Sequence, residues 1–568
     1  MKDIINLNIR IKEDFILLPI NDADPISIIT FRDETDQSIL QFTASITQNT
    51  ATYWLPIDIS NYKGHHITIQ IASNNLTPDI KNVIDNTQYL PSNNREEYRP
   101  EYHYSAPFGW INDPNGLFYK NGVYHLYFQH NPFGTKWGNM SWGHASSKDL
   151  IKWENHPVAL LPDEMGEIFS GSIIIDKENN ALLGSDMTLA FYTSAKENQV
   201  QCLAYSNDNG ITFTKFNENP ILKDEDKKDF RDPKVFWHNG TKKWIMALAT
   251  GQSITFYSSS DLKGWERLSE FGKGIGSHKG VWECPDLFEL KSGKKKKWVL
   301  LVSINPGGPN GGNATQYFLG DFDGHTFTAD PLSYPLWLDY GRDNYAGVTW
   351  HNCPKNNKTY IGWMSNWDYA NDLPTQHFKN VMTLPRTIDI ATFNKQLILK
   401  TYPIKEVKKL RIEKKDFSTR LLNRMFIIKS FLEDNQGAYE VILEFDIVEN
   451  TTSSVSITLF NENNEKLNFN LDLRKYLLTT NRSASGITKF NKKFSQGDII
   501  APLEKTNRYK IKLYIDKCSS ELFLNKGKIA STNLIFPSEP YNNIRIDVSD
   551  GVIDITKFRI YKLADLNN

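Results

Sequence analysis

Three stretches of the chain share one order of residues: a carboxylate, a proline, a hydrophobic strand pattern, a turn and a second strand. Trp110-Ile111-Asn112-Asp113-Pro114-Asn115-Gly116 runs into Leu117-Phe118-Tyr119 and then Val123-Tyr124-His125-Leu126-Tyr127-Phe128. Phe230-Arg231-Asp232-Pro233 runs into Lys234-Val235-Phe236-Trp237, Gly240 and Trp244-Ile245-Met246-Ala247-Leu248. Trp282-Glu283-Cys284-Pro285 runs into Asp286-Leu287-Phe288, Gly293 and Trp298-Val299-Leu300-Leu301-Val302. Any one of these reads as an Asx turn before a strand, since Asn, Asp, Pro and Gly are turn formers. Three in one order ask for a repeated unit.

A second repeat is offset from the first. Ser147-Lys148-Asp149 with Trp153, Ser206-Asn207-Asp208 with Phe213, Ser259-Ser260-Asp261 with Trp265, and Asp321-Phe322-Asp323 with Phe327 each place an aspartate and a short turn before an aromatic. These aspartates fall roughly 50 to 60 residues apart, the period of four-stranded propeller blades, and about 290 residues at that period make five blades. Blades around one axis would bring the first strand of each hairpin, and its carboxylate, to one end of that axis. Carboxylates flanking one carbon suit glycosidic bond cleavage, which needs a nucleophile and a proton donor.

The flanks read differently. Residues 1–95 alternate in short runs such as Leu7-Asn8-Ile9-Arg10-Ile11 and His66-Ile67-Thr68-Ile69-Gln70-Ile71, the mark of half-buried antiparallel strands. They predict a small β-sandwich-like accessory unit without a catalytic cluster. Pro91 to Pro107 is polar and predicts a linker. The propeller is expected over 96–390, with a mixed connector from 388 to about 412. A β-sandwich over 391–568 follows from runs such as Tyr439-Glu440-Val441-Ile442-Leu443-Glu444-Phe445 and Ile544-Arg545-Ile546-Asp547-Val548. The predicted fold is all-β.

Composition excludes several classes. Lys plus Arg total 65 and Asp plus Glu total 66, so no basic stripe speaks for nucleic acid. The one basic run, Lys294 to Lys297, falls in a predicted hairpin turn and reads as a solvated loop. Cys202, Cys284, Cys353 and Cys518 are scattered without a zinc spacing, so no metal site and no disulfide framework is expected, and Cys284 reads as a packing residue. No apolar run is long enough to span a membrane. Met1 to Ile20 has no apolar core of a signal peptide, which fits either a cytoplasmic protein or a secreted one whose leader has been trimmed. The sequons Asn139-Met140-Ser141 and Asn313-Ala314-Thr315 are read as chance in an Asn-rich chain.

Taken together the motifs resemble glycoside hydrolase family 32, the invertases, inulinases and levanases. The resemblance covers about residues 100–565 and rests on Trp110 to Gly116, Phe169-Ser170-Gly171-Ser172, Phe230 to Pro233 and Glu283-Cys284-Pro285, in that order. Leu338-Asp339-Tyr340-Gly341 and Gly362-Trp363-Met364-Ser365-Asn366-Trp367 add to it. The leading unit resembles an extra N-terminal β domain of some bacterial exo-levanases and exo-inulinases. The family implies a five-bladed propeller, a C-terminal sandwich, no cofactor and a retaining mechanism on β-fructofuranosides. By position, Asp113 would be the nucleophile, Glu283 the acid and base, and Asp232 a transition-state stabiliser with Arg231 beside it. Asn112, Gln129 and Ser170 would bond fructose hydroxyls, and Trp137, Phe169 and Trp367 would form apolar walls. Trp142 and Trp363 stand evenly between wall and core.

The loop Asn305-Pro306-Gly307-Gly308-Pro309-Asn310-Gly311-Gly312, with Asn344-Tyr345-Ala346-Gly347, is closer to levanases and exo-inulinases than to sucrose-only invertases. The resemblance therefore implies release of terminal fructose from levan or inulin, with sucrose also cut. An endo-levanase, a sucrose-specific invertase and a fructosyltransferase are the alternatives, as loop shape decides among them. An inactive fructan-binding protein would be expected to have lost Asp113 or Glu283, and an arabinan hydrolase would lack these motifs.

Overall fold

Period-two alternation becomes sheet along almost the whole chain. The computed structural model describes residues 3–87, 96–292, 295–354, 357–418, 420–449 and 451–566. Among them, helical structure is confined to short 3₁₀ turns such as Pro78–Val83 and Lys405–Leu410, and no helix is long and apolar enough to cross a membrane.

The leading unit is two packed sheets. Strands Asp3–Arg10, His66–Ser73, Ser27–Arg32 and Ser38–Ala44 form one, and Tyr53–Asp58, Phe15–Ile20 and Asp85–Thr87 the other. Ile67, Ile69 and Ile71 alternate inward to meet Ile16, Leu18 and Phe31, and their burial removes apolar surface from water.

Five sheets then surround an axis. Their innermost strands are Gly109–Lys120, Glu167–Asp176, Arg231–His238, Val281–Ser292 and Tyr345–Thr349. Each inner strand touches the next and the fifth touches the first, which closes a five-bladed propeller. Phe378–Lys379 seals the ring by pairing in parallel with Gly109 and Trp110 of blade one. The offset aspartates turn the chain between the third and fourth strands of the first four blades. In three of them a serine and the aspartate cap the turn, as where Ser259 and Asp261 accept the backbone N–H groups of Leu262, Lys263 and Gly264.

The sandwich packs a sheet led by Tyr439–Ile447, Arg508–Asp516 and Ile553–Leu563 against one led by Ser454–Phe460, Lys466–Asp472 and Asn543–Ser549. Alternate residues such as Val441, Leu443, Val455 and Ile457 fill its core.

Three expectations change. The stretch from 388 to 412 is not a mixed connector: Arg386–Phe393 and Gln396–Pro403 are the outer strands of blade five, so that blade continues past residue 390. Residues 96–107 are no free linker (91–95 lie outside the described residues). Asp516 of the sandwich accepts the backbone N–H of Glu101 at 2.8 Å, and the buried His103 ring lies between Asp516 and Glu521, 2.8 Å from each. The segment is a strap that ties the propeller to the sandwich. Finally, the basic run is largely strand. Lys295–Asn305 is the second strand of blade four, where Lys297 pairs with Asp330 at 2.7 Å, while Gly293 and Lys294 lie outside the described residues.

Candidate active site

The same irregularity recurs on all five inner strands, near the end where each begins. Ladder pairing skips between Ile111 and Pro114, Phe169 and Gly171, Arg231 and Lys234, Glu283 and Asp286, and Tyr345 and Val348. A bulge leaves a residue unpaired and re-aims its side chain. Proline suits three of these positions because it has no N–H to lose from the ladder. Gly171 suits a fourth, since a Cβ there would lie 1.9 Å from the Phe191 carbonyl oxygen. Asp232, Cys284 and Ala346 sit at φ of 63°, 47° and 53°, strained values for non-glycine residues that cluster where side chains must be aimed.

The bulged strands bring Asn112, Asp113, Phe169, Ser170, Arg231, Asp232 and Glu283, with Gln129 of the second strand of blade one and Trp137 and Trp367 of two loops, around one cavity of about 260 Å³. Asp113 is held at both oxygens. Asn112 Nδ2 donates to Oδ1 at 3.0 Å, while Ser170 Oγ at 2.8 Å and Cys284 Sγ at 3.3 Å donate to Oδ2. Asn112 is itself fixed by Trp110 Nε1 at 2.7 Å. Asp232 Oδ2 accepts the backbone N–H of Cys284 at 2.9 Å. Glu283 Oε1 accepts from Arg231 Nε at 3.2 Å and Nη2 at 3.0 Å, and Oε2 accepts from the Tyr345 hydroxyl. Gln129 lines the cavity, and its buried Nε2 has no hydrogen-bond partner among the described residues, an unspent donor beside the site.

Electrostatics follow from three acids and one guanidinium in little water. Burial pushes the Asp113 carboxyl above its usual range, the charge of Glu283 pushes the same way, and the bonds from Asn112, Ser170 and Cys284 pull it back. Burial also raises Asp232 to about 7, against the pull of Arg231 and with the push of Glu283 and Asp113. Burial and the same acids push the Cys284 thiol far up, so it stays protonated and can only donate.

Several readings shift in detail. Ser170 and Asn112 line the cavity, but each spends a donor on Asp113. Trp142 and Trp363 are fully buried behind the walls. Trp142 donates to the Phe169 carbonyl at 3.0 Å, and the Trp363 ring packs 4.9 Å from that of Trp367. Cys284 is more than packing. Tyr345 is a site residue that no motif marks, although it precedes the bulge of the fifth inner strand as Glu283 precedes that of the fourth. The asparagines of both sequons are engaged within the fold. Asn313 accepts the backbone N–H of Trp367 at 2.7 Å, and Asn139 binds the backbone of residue 43. The glycine-rich loop braces rather than lines the cavity. Gly312, at φ +66° with Asn366 2.1 Å from where a Cβ would stand, lets the loop pass against the Asn366 side chain, and Asn310 bonds Tyr340 and Ile500. A wider depression of about 1400 Å³ at the opposite end of the inner strands has its acids Glu289 and Asp389 paired with Lys296 and Lys400. Among the described residues it offers no comparable acid cluster.

A propeller whose axis ends in three clustered acids, one buried and two half-buried, an arginine and aromatic walls is the construction of a sugar-cleaving hydrolase. The family model described as the glycosyl hydrolases family 32 N-terminal domain matches residues 103–402, and that of the family's C-terminal domain matches 406–562. The chain belongs to glycosyl hydrolase family 32 and is a glycoside hydrolase. It is 42% identical over 480 residues to the levanase of Bacillus subtilis (strain 168), a match covering 82% of this chain and 71% of that one. To the extracellular exo-inulinase of Aspergillus awamori it is 35% identical over 518 residues, covering 83% and 96%. The crystal structure of exo-inulinase from Aspergillus awamori superposes with a TM-score of 0.77 at 33% identity, covering 84% of this chain and all (100%) of that one. A fructofuranosidase from Schwanniomyces occidentalis complexed with fructose gives 0.76 at 31% identity, with coverage of 84% and 100%.

Proposed function

We propose that this chain is a retaining β-fructofuranosidase that releases terminal fructose from levan- or inulin-type fructans and also cuts sucrose. The observation that carries the reading is the placement of Asp113, Glu283 and Asp232 around one cavity of monosaccharide size, each with a different set of partners. Asp113, oriented at both oxygens, attacks the anomeric carbon of the fructosyl unit. Glu283, steered by Arg231 and Tyr345, delivers a proton to the leaving oxygen. The fructosyl–Asp113 ester then yields to a water whose proton returns to Glu283. Asp232 accepts hydrogen bonds from fructose hydroxyls and places negative charge beside the oxocarbenium-like transition state. Gln129 donates to a further hydroxyl, and Trp137, Phe169 and Trp367 cover the apolar faces of the sugar. No step asks for a metal or a cofactor.

A small pocket rather than a long groove favours removal of one end unit at a time. Relatives named as levanase and extracellular exo-inulinase support a polymeric substrate and action outside the cytoplasm. The test is a product profile, with levan, inulin and sucrose incubated separately and early products separated by chromatography. Fructose alone from a polymer is the expected result. Early oligosaccharides would make it an endo-enzyme, longer products built on sucrose a transferase, and activity on sucrose alone an invertase.

A further inference from the structure

Residues 132–140 join the second and third strands of blade one and carry Trp137 to the rim of the cavity, where the residue is 43% exposed. Within the blade, Asn131 spans the inside of this loop through the Lys136 carbonyl at 2.8 Å and the Phe133 N–H at 3.0 Å. The outside is held at Trp137 itself by Asn371, whose Oδ1 accepts the Trp137 N–H at 3.1 Å, and on either side of it by the N-terminal sandwich. Asn139 forms a two-point clamp on residue 43: its Oδ1 accepts the Thr43 N–H at 2.9 Å and its Nδ2 donates to the Thr43 carbonyl at 2.9 Å. Asp22 accepts from Thr135 Oγ1 at 2.6 Å and is oriented by the Tyr53 hydroxyl at 2.9 Å. The ring of Phe42 stacks on Phe133 with centroids 4.1 Å apart.

We infer that the N-terminal sandwich is a working part of the substrate pocket: through Asp22, Phe42 and Thr43 it fixes the loop that presents Trp137, with Asn139 as the positioning residue. The inference rests on the cavity being a sugar pocket. Residues before 103 lie outside both matched family spans, so the unit brings to the pocket something that those spans do not encode. An exposed indole on a free loop would lose conformational entropy each time it closed on a sugar, and a loop already clamped avoids that loss. Trp137 is the exposed residue of the cavity lining and is not among the hydrogen-bond partners of Asp113 or Glu283, so the clamp acts on binding more than on turnover.

The test uses the full-length chain. Asp22→Ala removes the acceptor for Thr135, and Asn139→Gly removes the amide while tolerating the local φ of 47°. Each is expected to raise KM for sucrose and inulin about three- to tenfold with kcat within about twofold. Asp22→Asn, which keeps an acceptor, should recover most of the loss. In a Trp137→Ala background the same substitutions should add nothing, because the ring they place is gone. Hydrogen exchange without substrate should show residues 132–140 opening at least about tenfold faster in either variant while the blades stay protected. Unchanged KM, equal effects with and without Trp137, or unchanged exchange would each overturn the inference. An inactive parent chain whose loop still opens in Asp22→Ala would overturn the sugar pocket and leave the clamp standing. Because the Asn139 amide also donates to Asn131 at 3.1 Å, the sandwich-side variants decide the inference, and if Asp22→Ala does not fold, Phe42→Leu, which thins the stack on Phe133, takes its place.

Discussion

Cys284 donates its thiol to Oδ2 of Asp113 at 3.3 Å, while its backbone N–H holds Oδ2 of Asp232 at 2.9 Å. Counted from the bulge prolines, it occupies in the fourth blade the place that Asp113 and Asp232 hold in the first and third. Losing one such donor to a buried carboxylate costs about 0.5–1.5 kcal/mol, so Cys284→Ala should lower kcat about two- to tenfold. Cys284→Ser, which keeps a donor, should lose less. Equal activity of both variants with the parent chain would return Cys284 to a packing role.

The two acids assigned to bond making and breaking predict a sharper loss. Asp113→Asn leaves nothing to form the ester, and Glu283→Gln leaves no proton for the leaving oxygen. Each should cut kcat/KM by about a thousandfold or more, with an unchanged circular dichroism spectrum. Near-normal turnover in either folded variant would remove that residue from its role.

Burying these acids also sets a stability trade. Asp232 titrates at about 7 in the folded chain, above the usual aspartate range of an unfolded one. A raised folded value means the site is stable while protonated and loses stability as pH rises through about 7. Asp232→Asn, which cannot ionise, should therefore raise the apparent Tm by a few degrees at about pH 8, and by less at about pH 5, while it lowers activity. Differential scanning calorimetry at the two pH values decides it. An equal shift at both would mean that charge burial is not the cause.

How far the sequence discloses this site depends on distance along the chain. The inner strands are legible because proline and a carboxylate mark the bulge in three of five blades. Blades two and five lack the pair, which is why Tyr345 goes unread. Asn112 and Ser170 are visible as site residues, but that they serve Asp113 depends on rotamers and on neighbouring blades. The strap is invisible for a related reason. Polar residues from 96 to 107 look solvated until Asp516, four hundred residues on, supplies their partner. The glycine-rich loop stands out in the sequence, yet its role as a brace depends on Asn366 and Ile500, which only the closed propeller and docked sandwich bring to it.

That strap makes the junction of propeller and sandwich pH-dependent. Burial opposes a charge on His103, but its bonds to Asp516 and Glu521 prevail and raise it to about 9. Glu521 is shared with Arg386, whose Nη1 also holds Asp339 of the propeller at 2.8 Å. A histidine with a raised folded value lends stability in full below its unfolded value near 6.5, and loses it as pH rises through about 9. Deprotonation leaves Asp516 and Glu521 buried with less positive charge, a change on the order of a few kcal/mol. Urea midpoints should accordingly fall between about pH 6.5 and pH 9 in the parent chain. His103→Gln keeps a donor and an acceptor but no charge. It should be less stable than the parent at about pH 6 and show little further loss up to about pH 9. A parent profile that is flat across this range, or one that His103→Gln leaves equally steep, would place the pH dependence elsewhere than in the strap.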